Sequence, residues 1–163
     1  MSTEQITIVN NQDEIIGTKE RPAITKDDIY RVSALWVTDS HGHILLAQRS
    51  FTKKHSPGKW GPAVAGTVEA GETYDDNIIK EIEEELGLTG ILPSQSKKQR
   101  VSDEYNYFCQ WYTLVFDQPT KAFTLEEDAV EQVKWFTRSD LETDVREHPG
   151  RYLDGLSWCL ENL

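Results

Sequence analysis

The sequence has few cysteines and no long apolar run, and each shortage excludes a class of protein. Two cysteines, Cys109 and Cys159, in 163 residues are too few for a disulfide framework. Their apolar and aromatic surroundings predict two buried thiols. No apolar segment has the length of a membrane span, and no signal peptide is recognisable at the start of the sequence. We therefore expect a reducing, cytoplasmic setting away from the membrane.

Positive charge is also scarce. Lys and Arg number 17 against 28 Asp and Glu, which gives a formal net charge of −11. Such a surface disfavours nucleic acids and anionic membranes as partners. A small phosphorylated molecule stays compatible, because bound cations and a few local bases can reverse the field at a site. The length predicts one domain over residues 1–163, and the sequence leaves a homodimer open.

The pattern of apolar residues predicts strands interleaved with one long helix and two late helices. Segments 6–9 and 14–17 indicate an N-terminal hairpin within an extension that covers residues 1–29. Further strands are predicted over 30–38, 43–49, 104–116 and 129–136, and closing helices over 139–147 and 151–162. This order predicts an α/β (α+β) fold in which a mixed sheet lies between helical layers.

The most informative segment covers residues 66–88, where acids crowd onto one amphipathic helix. Glu81, Glu84 and Glu85 are related by three- and four-residue steps, so their side chains are neighbours beside the apolar stripe. A capping box at Thr73 predicts the helix start, and Gly87 predicts its end.

This arrangement of acids is unfavourable unless a cation binds. Like charges one turn apart repel, and Glu84 and Glu85 lie at the negative end of the helix dipole. Carboxylate oxygens are suitable ligands for Mg²⁺ or Mn²⁺. A solvated acidic helix face is the alternative interpretation of the helix alone.

The full segment resembles the Nudix box, with the pattern G-x5-E-x7-[RK]-E-U-x-E-E-x-G-U, in which U is apolar. The resemblance implies the Nudix α/β/α sandwich and a hydrolase that acts on diphosphates. It also implies that Glu81, Glu84 and Glu85 ligate the metal, that one of them can activate water, and that a backbone carbonyl of Ala65 or Gly66 completes the site. Lys80 stands where the family usually has Arg, and it should pair with Glu72 without the bidentate fork.

A basic loop precedes the box. Its sequence, AQRSFTKKHSPGKW, resembles the matching stretch of type I isopentenyl-diphosphate isomerases, which are Nudix-fold enzymes. That resemblance implies diphosphate contacts for Arg49 and Lys53 and a surface role for Lys54, His55 and Lys59. Trp60 ends the loop beside the box, so we expect its ring to face the substrate. The alternative is an ordinary solvated loop.

The isomerase reaction itself is disfavoured by three positions. Extending the same resemblance places Ala65 at the isomerase's catalytic cysteine, and Thr67 and Tyr30 at histidine ligands of its own metal site. Alanine cannot move a proton at carbon. The sequence therefore favours Mg²⁺-dependent hydrolysis of a phosphoanhydride in a nucleoside diphosphate-linked or related substrate. An isomerase and a non-catalytic diphosphate-binding module are the alternatives.

Two further groups are interpreted more simply. In the acidic run 126–131, Glu127 is our choice for an additional metal ligand, with Glu104 as its competitor. Tyr105, Tyr107 and Trp111 form an aromatic stripe on a predicted strand, which is more typical of a core than of a base-stacking surface.

Overall fold

The computed structural model describes residues 3–163, which fold around a nine-stranded mixed sheet with three α-helices. The strands are β1 (Gln5–Val9), β2 (Ile15–Glu20), β3 (Ile29–Thr38), β4 (Ile44–Arg49), β5 (Trp60–Pro62), β6 (Val64–Thr67), β7 (Ser94–Ser102), β8 (Asn106–Val115) and β9 (Val130–Phe136). The helices are α1 (Tyr74–Leu86), α2 (Arg138–Glu147) and α3 (Leu156–Asn162).

Strand β3 is the centre of the sheet. On one side it runs parallel to β8 along its length, from the Tyr30–Tyr107 pair to the Thr38–Val115 pair. On its other side it pairs antiparallel in turn with β1, β6 and β4. Strand β8 continues outward to β7, and β4 continues to β5 and β9. This topology brings β6, which leads into α1, next to the N-terminal hairpin.

Alternate side chains of the central strands form two separate cores. Leu35 and Val37 of β3 face α1, in a cluster that includes Ile78, Ile82 and Leu86 of that helix. Ala34 and Trp36 face the opposite layer, where the buried residues of α2 and α3 are Leu141, Val145, Leu156 and Cys159. Because helices cover both faces of the mixed sheet, the predicted α/β/α sandwich is confirmed.

Helix α1 begins and ends where the sequence predicts. The Thr73 hydroxyl accepts a hydrogen bond from the backbone N–H of Asp76 at 3.1 Å, and the Asp76 carboxylate accepts one from Thr73 at 3.0 Å. Gly87 ends the helix with a φ of 68°. A side chain there would be strained, and its Cβ would lie 2.7 Å from Cβ of Thr124. The chain therefore leaves the helix at a fixed angle.

The structure differs from the prediction at three elements. Strand β7 was not predicted, because its sequence SQSKKQRVS is almost entirely polar and exposed and shows no apolar alternation. Strand β8 begins at Asn106, so Tyr105 lies outside it in the turn from β7. The last helix begins at Leu156, because residues before it form a short 3₁₀ turn, Pro149–Arg151. Four successive residues in the middle of β8, Cys109 to Tyr112, are buried, so the strand is covered on both faces.

The N-terminal hairpin is held to the sheet at its turn. Asp13 adopts a positive φ of 60° and accepts hydrogen bonds from three side chains elsewhere in the chain. Its carboxylate lies 2.7 Å from Nε of Arg31 and 2.6 Å from Nζ of Lys98, and the Tyr74 hydroxyl donates to it at 3.0 Å. These contacts connect the hairpin to β3, β7 and α1. None of the helices in residues 3–163 is long and apolar enough to cross a membrane.

Candidate active site

One large cavity, of about 870 Å³, opens where α1, β6, the basic loop and the N-terminal segment meet. The acids Glu81, Glu84 and Glu85 line one side of it, and Arg49 and Lys53 line another. Ala65 and Gly66 of β6 lie along the cavity as well. The structure therefore brings together the acids, the bases and the β6 backbone that the sequence singles out.

Gly66 allows the closest approach in the site. A Cβ built on Gly66 would lie 2.4 Å from Cδ and 2.6 Å from Oε1 of Glu81. Any side chain at this position would push the Glu81 carboxylate away from β6. The glycine is required here by space, because its φ does not lie in the left-handed region.

The environment of these acids disfavours their ionised form. Burial raises the pKa of Glu85 to about 8, and the charges of Glu81 and Glu126 add to the effect. Burial also raises the pKa of Glu81 to about 7, with Glu84 as the next cause. In both cases burial disfavours the charged form of the carboxyl group, and neighbouring carboxylates add to this effect.

The donor set fits a hard divalent cation, although the side chains are not gathered as ligands. Among residues 3–163, no three acid, Cys or His side chains are close enough together to hold a metal ion as they stand. Within the same residues, Glu81, Glu84 and Glu85 form no ion pair with Lys or Arg. Their carboxylate oxygens are the type of ligand that Mg²⁺ and Mn²⁺ prefer, and such a cation would supply the positive charge that compensates them.

A second group of contacts fixes α1 against the loop before it. Nζ of Lys80 lies 2.5 Å from Oε1 of Glu72, as the box predicts. The other oxygen of Glu72 accepts hydrogen bonds from Nδ2 of Asn77 and from the backbone N–H of Glu69, both at 3.0 Å. Although burial opposes it, these donors lower the pKa of Glu72. Sequence reasoning missed Asn77, whose signal is a polar residue within the apolar stripe of α1.

The basic loop faces the cavity more completely than predicted. Arg49 and Lys53 line it, but so do Lys54 and His55, which we expected at the outer surface. Nε of Arg49 donates to the carbonyl of His55 at 3.0 Å, which folds the loop back over β4. Lys59 does not line the cavity, so its predicted surface position is consistent with the structure.

Two predicted site residues lie elsewhere. Trp60 packs edge-on against Phe136, with ring centroids 5.4 Å apart, and is not among the residues that line the cavity. Glu127 is also absent from the lining, whereas Glu126 is present. The backbone N–H of Glu126 donates to the carbonyl of Glu85 at 3.3 Å, which holds Glu126 beside the acids of α1. The competitor Glu104 lines the cavity too.

The three positions that argue against isomerase chemistry lie in the same cavity. Ala65, Thr67 and Tyr30 all line it. The Thr67 hydroxyl accepts a hydrogen bond from Nη2 of Arg21 at 2.8 Å. None of these three side chains offers a thiol or an imidazole, so the groups that the isomerase reaction needs are missing at the place where they would act.

The raised pKa values predict how the stability of the metal-free protein depends on pH. A carboxyl whose pKa is higher in the folded state binds more protons when folded, so stability falls as pH rises through the window from 4.5 to about 8. We expect wild type to lose about 3 kcal/mol more than Glu85→Gln between about pH 5 and about pH 8. Denaturant unfolding of both proteins in EDTA measures this difference. Parallel pH profiles would contradict the prediction.

The family model and the similar proteins point to the same family. The sequence model described as NUDIX domain matches residues 29–156. The chain is 30% identical over 164 residues to the Nudix hydrolase YfcD of Escherichia coli, covering 99% of this chain and 89% of that protein. It is 25% identical over 161 residues to an isopentenyl-diphosphate Delta-isomerase of Aliivibrio fischeri, covering 92% of this chain and 89% of that protein.

Solved structures have the same fold. The crystal structure of DR0079 from Deinococcus radiodurans superposes with a TM-score of 0.82 at 23% identity, covering 97% of this chain and 98% of that one. A bifunctional NMN adenylyltransferase/ADP ribose pyrophosphatase from Francisella tularensis, complexed with AMP and a manganese ion, has a TM-score of 0.59 at 22% identity. That likeness covers 78% of this chain and 38% of the Francisella protein.

Proposed function

The chain belongs to the Nudix hydrolase family, and from this premise we propose that it hydrolyses a phosphoanhydride bond in a nucleoside diphosphate-linked or related diphosphate substrate, with Mg²⁺ or Mn²⁺ as cofactor. One observation carries the proposal: three acids that form no ion pair within residues 3–163 converge with two bases on one cavity, beside a glycine backbone. Acids for a cation and bases for a diphosphate are the two requirements of this reaction.

The cation would be held by Glu81, Glu84 and Glu85, together with a backbone carbonyl of Ala65 or Gly66. When bound, Mg²⁺ or Mn²⁺ neutralises phosphate oxygens and makes water more acidic. Glu126 is the better candidate for an additional acid, because it lines the cavity and Glu127 does not. The manganese ion in the Francisella relative supports a divalent cation.

Other residues of the cavity bind and orient the substrate. Arg49 offers a planar guanidinium and Lys53 a point charge to the diphosphate oxygens. The Lys80–Glu72 pair holds α1 against the preceding loop, so the three acids keep their position relative to β6. Positioning of this kind places water in line with one phosphorus atom and accounts for much of the rate.

Two other functions are less well supported. Similarity to the Aliivibrio isomerase favours isomerisation of a prenyl diphosphate. However, Ala65 cannot supply one half of the proton donor and acceptor pair that isomerisation needs, and Thr67 and Tyr30 lack the imidazoles of the isomerase's metal site. A non-catalytic binding module would not need three repelling acids, which lower stability without contributing to diphosphate affinity.

Hydrolysis and isomerisation are distinguished by the fate of labelled water. The substrate comes from a screen with Mg²⁺ of nucleoside di- and triphosphates, dinucleoside polyphosphates, nucleotide sugars and prenyl diphosphates. Turnover in ¹⁸O-labelled water should place the label in a phosphate-containing product, because water attacks phosphorus. Isopentenyl diphosphate with Mg²⁺ should give no dimethylallyl diphosphate by proton NMR. Mass spectrometry of the products measures the label.

The variant Ala65→Cys is the control for this experiment. It should not gain isomerase activity, because Thr67 and Tyr30 still lack imidazoles. Dimethylallyl diphosphate formed by the wild-type protein, or ¹⁸O absent from every phosphate product, would overturn the proposed function.

A further inference from the structure

Asn77 is a polar residue on the buried face of α1. It lies one turn before Glu81, and it is 0% exposed. Other residues of this face, Ile78 and Ile82, belong to the apolar core. A buried amide is unfavourable unless its donors and its acceptor find partners. The partners of Asn77 therefore indicate why this position of the helix is polar.

The side chain of Asn77 makes three hydrogen bonds, each to a different part of the chain. Nδ2 donates to the backbone carbonyl of Thr67 at 3.1 Å and to Oε2 of Glu72 at 3.0 Å. Oδ1 accepts a hydrogen bond from the hydroxyl of Ser33, which is also 0% exposed. One amide thus joins α1 to the end of β6, to the loop before the helix and to β3.

These contacts surround the place where β6 comes closest to the acids. Ser33 of β3 is the cross-strand partner of Gly66 in β6. Thr67, whose carbonyl Asn77 binds, directly follows Gly66. On α1, Glu81 follows Asn77 by one turn, and it is Glu81 that a side chain at position 66 would displace. Asn77 therefore fixes the separation of α1 from β6 one turn before the first site acid.

Glu72 receives its two side-chain donors from different residues of α1. Nζ of Lys80 lies 2.5 Å from Oε1, and Nδ2 of Asn77 lies 3.0 Å from Oε2. A single arginine can bond both oxygens of a carboxylate with its planar fork, whereas lysine offers a point charge. Asn77 and Lys80 are three residues apart on one helix, so their side chains are neighbours. Together they supply the two donors that one arginine fork would supply.

Resting on the proposed function, we propose that Asn77 is a positioning residue for the metal site, and that it supplies the second donor to Glu72 that Lys80 cannot supply. It holds Glu72 and the β6 backbone against α1 and does not itself contact the cation. Residues that orient metal ligands from behind contribute strongly to metal affinity. With this role, Lys80→Arg makes the contact of Asn77 with Glu72 dispensable, because the fork reaches both oxygens.

Metal affinity, measured without turnover, tests this role. Electron paramagnetic resonance measures free Mn²⁺ in titrations of each protein, at a temperature where circular dichroism shows the protein to be folded. Asn77→Ala should weaken Mn²⁺ binding about tenfold relative to wild type. Asn77→Ala/Lys80→Arg should recover most of this affinity. Lys80→Arg alone completes the cycle, and its effect should be smaller in the wild-type background than in the Asn77→Ala protein.

Stability should respond differently from metal affinity. In the double variant the carbonyl of Thr67 and the hydroxyl of Ser33 still lack Asn77 as their partner. Urea unfolding should therefore show that the stability lost in Asn77→Ala is not recovered by Lys80→Arg. A role in stability alone would move both quantities together. If Asn77→Ala does not fold, Asn77→Ser replaces it with the same expected results, because the shorter side chain does not reach Glu72.

Ile78→Val is the matched control for lost stability. Ile78 follows Asn77 in α1 and is 1% exposed, and this change removes one carbon from the apolar core without removing a hydrogen bond. Its Mn²⁺ affinity should stay within about twofold of wild type. Unchanged affinity in Asn77→Ala, a loss that Lys80→Arg does not recover, or an equal loss in Ile78→Val overturns the positioning role and leaves the proposed function standing. A wild-type protein that binds no Mn²⁺ overturns both.

Discussion

Glu85→Gln and Glu84→Gln should each lower turnover by at least about 100-fold while the protein stays folded. A neutral amide is a much poorer ligand for a hard divalent cation than a carboxylate, and both residues line the cavity. The effect should fall mainly on kcat at saturating Mg²⁺, if the cation acts on the reacting phosphate. Steady-state kinetics with the substrate identified by the screen measures the loss.

The same helix provides the matched control. Glu83 lies between the site acids in sequence but is exposed and does not line the cavity. Glu83→Gln should therefore retain turnover within about twofold, since surface substitutions away from special features have small effects. If Glu84→Gln and Glu85→Gln both turned over like wild type under saturating Mg²⁺, the assignment of the metal site would be wrong.

The second large effect concerns stability and the turn of the N-terminal hairpin. Asp13→Ala should lower the free energy of unfolding by about 3 kcal/mol. The Asp13 side chain is only 10% exposed, and its removal leaves Arg31 and Lys98 without their partner. Alanine is also unfavourable at a φ of 60°, a conformation that Asn tolerates better. Asp13→Asn should therefore lose less stability than Asp13→Ala.

The contribution of Asp13 to the free energy of unfolding increases as pH rises, whereas that of Glu85 decreases. Burial raises the pKa of Asp13, but hydrogen bonds from Lys98, Arg31 and Tyr74 outweigh it and lower the pKa below 3.8. Its contribution is therefore complete above pH 3.8 and is lost as pH falls through the folded-state value. Asp27→Ala, at an exposed position of the same segment, should change stability by less than about 0.5 kcal/mol. Equal losses in the Asp13 and Asp27 variants, by urea unfolding, would show that the network contributes nothing specific.

The acidic helix is predictable from sequence because every feature that specifies it is local. The capping box at Thr73, the apolar stripe and the glycine after the last turn all lie within one short segment. The Glu72–Lys80 pair is predictable for the same reason, because both residues belong to that segment.

Features that depend on distant partners are not predictable in this way. Strand β7 is a polar segment that becomes a strand by pairing with β8. The ring of Trp60 turns toward Phe136, a residue of β9, and so away from the cavity. The choice of Glu126 over Glu127 depends on a backbone hydrogen bond to Glu85. The position of the N-terminal segment at the cavity depends on where β1 joins β3, which no local pattern specifies.

The parallel pairing of β3 with β8 has a consequence for the order of folding. It joins Tyr30 to Tyr107, so a long loop must close before any of these contacts forms. Helix α1 and the turn before it can form early, because their contacts are local. The basic loop and the N-terminal segment then reach the acids only after the central strands meet. During refolding, a helical signal should precede the ability to bind a diphosphate, and the delay between them measures the closure of β3 on β8.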